Sequence, residues 1–166
     1  KIAPLSNQEF DQILNKLQKG NIFNKAKMLR QKMDYTRDDN TVGYIDLIDR
    51  FDYCQNTYQV TQQVTVEGKY QNRYDVTLLI NGLPLVQIEL KRRGLELKEA
   101  FNQINRYERH SYGTGYGLFQ YIQLFVISNG VNTKYYANSK ISARSFEQTF
   151  YWTTINNEQI TQIKEF

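Results

Sequence analysis

The chain has 166 residues, 40% of them hydrophobic and 23% charged, which suits one globular domain spanning 1–166 and excludes a multidomain machine. A net charge of +4 and a pI near 9.0 admit a polyanionic partner without demanding one. One cysteine and one histidine exclude a disulfide framework, a Cys-based zinc site and any site built on paired histidines, so carboxylates and lysines must carry the chemistry and a reducing cytoplasm is the expected compartment.

Ser6-Asn7-Gln8-Glu9 has the spacing of a capping box, and Phe10, Ile13, Leu14 and Leu17 follow at helical period until Gly20. A second helical pattern, Ile22, Phe23, Ala26, Leu29 and Met33, is loaded with Lys25, Lys27, Arg30 and Lys32. Residues 16–32 hold six cations and no anion, a stretch that reads either as a solvated helix face or as a basic surface for DNA or a partner. Asp38, Asp39, Asp46, Asp49 and Asp52 follow, but without the spacing, central Gly and closing Glu of a calcium loop, so a solvated face is expected there. Cys54 is read as a buried thiol and His110 as an exposed imidazole.

From Tyr58 the period changes to two, with Tyr58, Val60, Val64 and Val66 alternating with polar residues up to Gly68. A second strand, 73–80, reaches the hairpin signal Asn81-Gly82, and a third runs from Leu85 to Lys91. In that third strand Val86, Ile88 and Leu90 share one face, expected to point to the core. Gln87, Glu89 and Lys91 share the polar one. Leu97, Ala100, Phe101 and Ile104 predict a helix to about Arg109. The glycine-rich run 112–117 follows a helix and lacks the phosphate-loop Lys-Ser/Thr, so it reads as a connector. A buried strand at 121–127, a turn at Ser128-Asn129-Gly130 and a strand at 133–137 complete the order α-α-β-β-β-α-β-β, a mixed sheet flanked by helices in an α/β fold. Trp152 in Phe150-Tyr151-Trp152 is expected to pack locally or to dock on a neighbouring domain. The chain opens on Lys1 rather than Met and stops within the pattern Ile160, Ile163, Phe166, which reads as part of something longer. No run approaches the ~20 apolar residues of a membrane span.

Asp75 on the second strand and Glu89-Leu90-Lys91 at the end of the third bring two carboxylates and an ammonium towards one end of a hairpin. Two carboxylates, with the Leu90 carbonyl as a further oxygen, suit Mg²⁺, for which Mn²⁺ can substitute. An ammonium beside them orients water and stabilises charge on a phosphate, so the set points to phosphodiester hydrolysis. The triad alone is a weak signal; its placement on adjacent strands, ahead of a helix carrying Gln103 and Tyr107 one turn apart, strengthens it. Strand parity imposes a condition. A two-residue Asn81-Gly82 turn would set Asp75 opposite Ile88, so the site needs an odd loop or a bulge to bring Asp75 across from Glu89.

Asp75, Glu89-Leu90-Lys91 and Gln103-x-x-x-Tyr107 resemble the PD-(D/E)xK nuclease superfamily with the Gln-x-x-x-Tyr motif of its RecB-like branch. The wider run, 72–76, Asn81-Gly82-Leu83-Pro84 through Gly94, then Ile127-Ser128-Asn129-Gly130, is similar to the N-terminal endonuclease domain of the R subunit (HsdR) of type I restriction enzymes. Tyr74 departs from the superfamily pattern, standing where Pro precedes the Asp. The resemblance implies a restriction-endonuclease-like core that cuts double-stranded DNA with little sequence preference. It implies that Asp75 and Glu89 bind Mg²⁺, that Lys91 positions the attacking water, and that Gln103 and Tyr107 support the site and its hold on DNA. It also implies that Glu9 or Asp11 on the first helix completes the metal shell, with capping an alternative role for Glu9. Partners implied are modification and specificity subunits, and ATP would act only through motor domains, since this chain has no Gly-x-x-x-x-Gly-Lys-Ser/Thr. A second reading is a nuclease-fold module, catalytically vestigial, that docks DNA or couples a motor to its partners. A third, an unrelated binding domain, requires Asp75 and Glu89 to lie too far apart to share one ion.

Overall fold

The computed structural model describes residues 4–66, 72–110, 117–162 and 164. Gly68 and the run 112–116 lie outside them, as does Ile163, and the side chain of His110 is not described. Helix α1 (Asn7–Gln18) starts as its sequence dictates: Ser6 Oγ accepts the Glu9 N–H at 3.2 Å, and Glu9 Oε2 accepts the Ser6 N–H at 3.0 Å. Asn21 caps α2 (Ile22–Arg30) in the same way, reciprocally with Asn24. Met33, which fits the helical period of α2, instead opens a strand. β1 (Met33–Thr36) pairs antiparallel with β2 (Val42–Ile45), a two-stranded sheet that periodicity did not predict. Met33 and Tyr35 point inward from β1 onto Ile13 of α1. The Tyr35 ring lies so close over Gly43 that a Cβ there would sit 2.4 Å from it, which is why this position takes glycine.

The aspartates between these elements hold turns. Asp39 accepts the Thr41 N–H at 2.9 Å, Asp49 the N–H groups of Phe51 and Asp52 at 2.9 Å each, and Asp52 that of Cys54 at 3.1 Å. Cys54 is exposed, contrary to the buried thiol expected, because it sits on a single 3₁₀ turn at the surface.

The main sheet has the order β3-β4-β5-β6-β7-β8-β9: β3 (Tyr58–Val66), β4 (Asn72–Ile80), β5 (Leu83–Leu90), β6 (Leu124–Ser128), β7 (Thr133–Ala137), β8 (Phe150–Thr153) and β9 (Gln159–Ile160). Every pairing is antiparallel except β5 with β6, whose parallel crossover is made by α3 (Leu97–His110). The sheet is therefore mixed, as predicted, but the chain order differs. Two strands precede β3, and β8 and β9, the latter holding Ile160, extend the sheet beyond the predicted edge. Residues 118–121 form a 3₁₀ turn, and the predicted strand begins only at Leu124. Trp152 packs against Tyr135 with the rings tilted by 57° and their centroids 4.8 Å apart, the local packing expected of it.

One face of the sheet is covered by α3. Leu97, Ala100, Phe101, Ile104 and Tyr107 bury themselves there against Tyr74, Phe125, Ile127 and Tyr136. The polar face of β5 is this covered face: Gln87 and Glu89 are fully buried, while Leu90, expected in the core, is 41% exposed. A strand's alternation divides its residues into two faces without saying which one a helix will cover. Thr77 and Gln87 meet the burial requirement by bonding to each other at 2.9 Å. Helices α1 and α2 pack on the β1–β2 hairpin and the 118–121 turn rather than sandwiching the sheet. Among the described residues no helix is long and apolar enough to cross a membrane.

Candidate active site

The parity condition is met by a bulge in the β4–β5 pairing, and a second irregularity lies opposite Asp75 on β3. The hairpin turn keeps the two-residue form, Asn81 and Gly82 both having positive φ (51° and 80°), and the residues beside it pair as Ile80↔Leu83 and Leu79↔Pro84. The register then shifts between Leu78 and Leu79, so that the pairs beyond run Leu78↔Val86, Thr77↔Gln87 and Val76↔Ile88. Continued by one step, this aligns Asp75 with Glu89. The second irregularity faces Asp75 from the other side. Gln63, which falls opposite it between the pairs Gln62↔Val76 and Val64↔Tyr74, has a φ of 55°. Tyr74 and Thr77 both reach the face under α3, which strict alternation forbids for residues three apart, so the strand turns over at Asp75.

That turn aims the carboxylate along the sheet. Asp75 Oδ2 accepts the Leu90 backbone N–H at 2.8 Å, leaving Oδ1 without a partner among the described residues. Glu89 is fully buried; its Oε1 accepts from Lys91 Nζ at 3.1 Å, and its Oε2 is buried with no hydrogen-bond partner among the described residues. Lys91 lies just past the end of β5, yet its N–H still donates to Ser128 O at 2.7 Å, tying it to β6. Its ammonium also donates to Gln103 Oε1, Gln103 Nε2 bonds the Tyr107 hydroxyl, and that hydroxyl donates to Arg73 O at 3.0 Å. The Tyr74 ring meets Tyr107 edge-on at 5.1 Å, so the residue in the Pro position buttresses the relay. Sequence reasoning placed no role on Tyr74, Thr77 or Gln87, and nothing in local pattern signals that they lie beneath the site.

The electrostatics follow from this burial. The Glu89 carboxyl is pushed up from 4.5 to about 7, first by desolvation and second by the negative charge of Asp75, against the opposing pull of Lys91 and Arg106. Burial likewise raises the Tyr107 hydroxyl above its ordinary value and keeps it a neutral donor. An unpartnered oxygen on each of two neighbouring carboxylates is a donor set for a hard divalent cation, and an ammonium with two of its three N–H groups fixed has one left to aim.

No third acidic, histidine or cysteine side chain joins Asp75 and Glu89 among the described residues. Glu9 is committed elsewhere, its Oε2 to Ser6 N–H and its Oε1 to Asp38 N–H at 3.3 Å, and Asp11 is exposed on α1.

The basic stretch is not the free surface that its charge count suggests. Lys25 is fully buried, contrary to its place in a basic surface. Its ammonium donates to Leu17 O and, at 2.7 Å, to Lys19 O, and lies 4.8 Å above the Tyr121 ring. It thereby satisfies two carbonyls at the end of α1 that no intrahelical bond reaches, a favourable place for a cation even though burial lowers its pKa. Lys16 is paired with Asp34 at 2.9 Å and Lys32 with Asp46 at 3.9 Å, while Lys27 and Arg30 are exposed on α2. Replacing Lys25 by Ala should therefore destabilise the fold by about 2–3 kcal/mol in urea denaturation, the cost of losing two charged hydrogen bonds, with Leu17 O left to the Tyr121 hydroxyl and Lys19 O without its ammonium. Lys27→Ala should leave the urea midpoint unchanged; equal midpoints for the two variants would refute the stapling role.

Residues 3–144 match the family described as type I restriction enzyme R protein N terminus. The chain is 47% identical over 163 residues to the type I restriction enzyme SauMSSORF170P endonuclease subunit of Staphylococcus aureus (strain MSSA476), covering 98% of this chain and 17% of the relative. It is 48% identical over 134 residues to the type I restriction enzyme EcoprrI endonuclease subunit of Escherichia coli, covering 80% of this chain and 43% of that protein. It is 32% identical over 133 residues to a putative type I restriction enzyme MjaVIIIP endonuclease subunit of Methanocaldococcus jannaschii, covering 76% of this chain and 12% of the relative.

Proposed function

This chain belongs to the family of type I restriction enzyme R protein N termini, and we propose that it is a PD-(D/E)xK endonuclease module that hydrolyses phosphodiester bonds of double-stranded DNA with little sequence preference. In this reading Asp75, Glu89 and the Leu90 carbonyl hold Mg²⁺, or Mn²⁺ in its place. The observation that carries it is the buried, unpartnered Glu89 Oε2 beside an Asp75 close enough for the two charges to repel. Leaving a carboxylate oxygen buried and unbonded is costly, and a cation shared with Asp75 removes that cost.

Each side chain then has a task set by its contacts. Asp75 and Glu89 present one free oxygen apiece; a bound Mg²⁺ would supply Lewis acidity towards the phosphate and its attacking water. Lys91, held by Glu89 and Gln103, directs its remaining N–H at the charge that builds on the phosphate oxygens. Tyr107 and Tyr74 fix Gln103 and so keep Lys91 from rotating away.

The chain spans 17% of the length of the Staphylococcus relative, so the surrounding roles are those of a larger assembly. The module would work in the cytoplasm of a bacterium or archaeon, alongside modification and specificity subunits that choose the DNA, with ATP used only by motor domains elsewhere in the R subunit.

Calorimetry with Mn²⁺ tests the reading. The chain should bind the ion, Asp75→Asn should abolish the binding heat, and affinity should tighten as pH rises from about 6 to about 8, because the Glu89 proton must leave before the ion can bind. No Mn²⁺ binding at about pH 8 would sink the proposal and favour a docking module.

A further inference from the structure

A phosphodiester entering this site carries two non-bridging oxygens, and Lys91 cannot hold both. Two of its three N–H groups are already given to Glu89 and Gln103. In the basic stretch 16–32 Lys25 is buried and Lys16 and Lys32 are paired with aspartates, which leaves Lys19, Lys27 and Arg30 exposed, none of them on an element that carries the relay. Four exposed arginines stand near the relay among the described residues, Arg73 before Asp75, Arg92 and Arg93 just past Lys91, and Arg106, and of these Arg106 alone is mounted on the helix that carries Gln103 and Tyr107. Arg106 follows Gln103 by one turn of α3 and directly precedes Tyr107; it is exposed, and its guanidinium lies 5.9 Å from the Tyr107 ring. It makes no hydrogen bond or ion pair among the described residues. Gln103, Arg106 and Tyr107 fall at i, i+3 and i+4 on α3, so Arg106 shares the helix face of the relay, and its charge is felt at both the Glu89 carboxyl and the Tyr107 hydroxyl.

We infer that Arg106 grips the DNA backbone phosphate at the mouth of the carboxylate pocket, an inference that rests on the phosphodiesterase reading above. A guanidinium fork matches a phosphate's two free oxygens with parallel N–H bonds, which an ammonium does not. Mounted on the helix that also carries Gln103 and Tyr107, it ties substrate position to the geometry of Lys91. It also relocates the DNA contact from the lysine-rich α2, where charge is densest in sequence, to α3.

The test is fluorescence anisotropy of the chain with a short labelled DNA duplex in Ca²⁺, across a salt series, with Mn²⁺ calorimetry and thermal melting on the same proteins. Arg106→Ala should weaken duplex binding roughly tenfold and flatten the slope of log affinity against log salt by about 0.9, the value for one lost phosphate contact. Melting temperature and Mn²⁺ affinity should be unchanged, because the side chain is exposed and bonds no ligand of the ion. Arg106→Lys should keep the salt slope while recovering only part of the affinity. Wild-type affinity and slope in Arg106→Ala would overturn the inference, as would a loss reproduced by Lys27→Ala or Arg30→Ala, or a fall in melting temperature matching the loss of binding. Failure of the wild-type chain to bind either Mn²⁺ or duplex would overturn the underlying nuclease reading instead.

Discussion

Lys91→Ala should lower the rate of DNA cleavage by about 10²–10³-fold in an R subunit carrying this module, while the domain stays folded and still binds Mn²⁺ above about pH 8. The size follows from where the ammonium stands. It is the link between the carboxylate pair and the Gln103–Tyr107 relay, 16% exposed at the open end of β5, with one N–H left for the phosphate. Removing it deletes the cation that meets charge developing in the transition state, and it leaves Gln103 free to turn. It does not touch the packing of α3 on the sheet, which rests on Ala100, Phe101 and Ile104. A side effect gives the prediction a second readout. Lys91 is among the groups that pull the Glu89 carboxyl down against burial, so its loss leaves that carboxyl higher still, and Mn²⁺ binding should require a more alkaline solution than in the wild type. Cleavage at wild-type rate, or a Mn²⁺ pH profile that does not move, would remove Lys91 from the role given to it.

How far the sequence reveals this site depends on which kind of order each feature uses. Local order is legible: the Ser6–Glu9 box and the Asn81-Gly82 turn are encoded by neighbours and appear where they should. Strand parity goes further, since it demands an odd loop or a bulge, and the structure keeps the two-residue turn and has a bulge at Leu78/Leu79, with another irregularity opposite Asp75 itself. Its position was not legible, because a bulge needs only an extra residue somewhere along β5. What the sequence hid was non-local. Met33 satisfied a helical period and a strand period equally, and only the docking of Tyr35 over Gly43 decides between them. Lys25 counted as surface charge until the end of α1 supplied carbonyls for it. Glu89 read as part of an open polar face, whereas α3 closes over that face and turns an ordinary carboxylate into one that titrates near neutrality.

Glu89→Gln is the sharpest consequence of that closure, because it should stabilise the metal-free protein while destroying its activity. A carboxyl raised from 4.5 in the unfolded chain to about 7 in the fold means that, between those values, the folded state holds a proton the unfolded state has released. Stability from this group is therefore full below the unfolded value and is lost as pH rises through about 7, a penalty on the order of 3 kcal/mol once the carboxylate is ionised. Glutamine fills the same space and never ionises, so it escapes the penalty. Discounting the lost pairing with Lys91, urea denaturation at about pH 8.5 should show the variant more stable by roughly 2 kcal/mol, with the difference vanishing near about pH 5. Saturating Mn²⁺ should reverse the order, since only the wild type gains binding free energy in the folded state, about 2.7 kcal/mol at one hundred times Kd. A variant less stable than wild type at about pH 8.5 without metal would mean that Glu89 is held as a satisfied structural ion pair with Lys91. A buried charge tolerated at a cost in the empty fold, and relieved when a cation arrives, instead marks the residue as selected for what it binds.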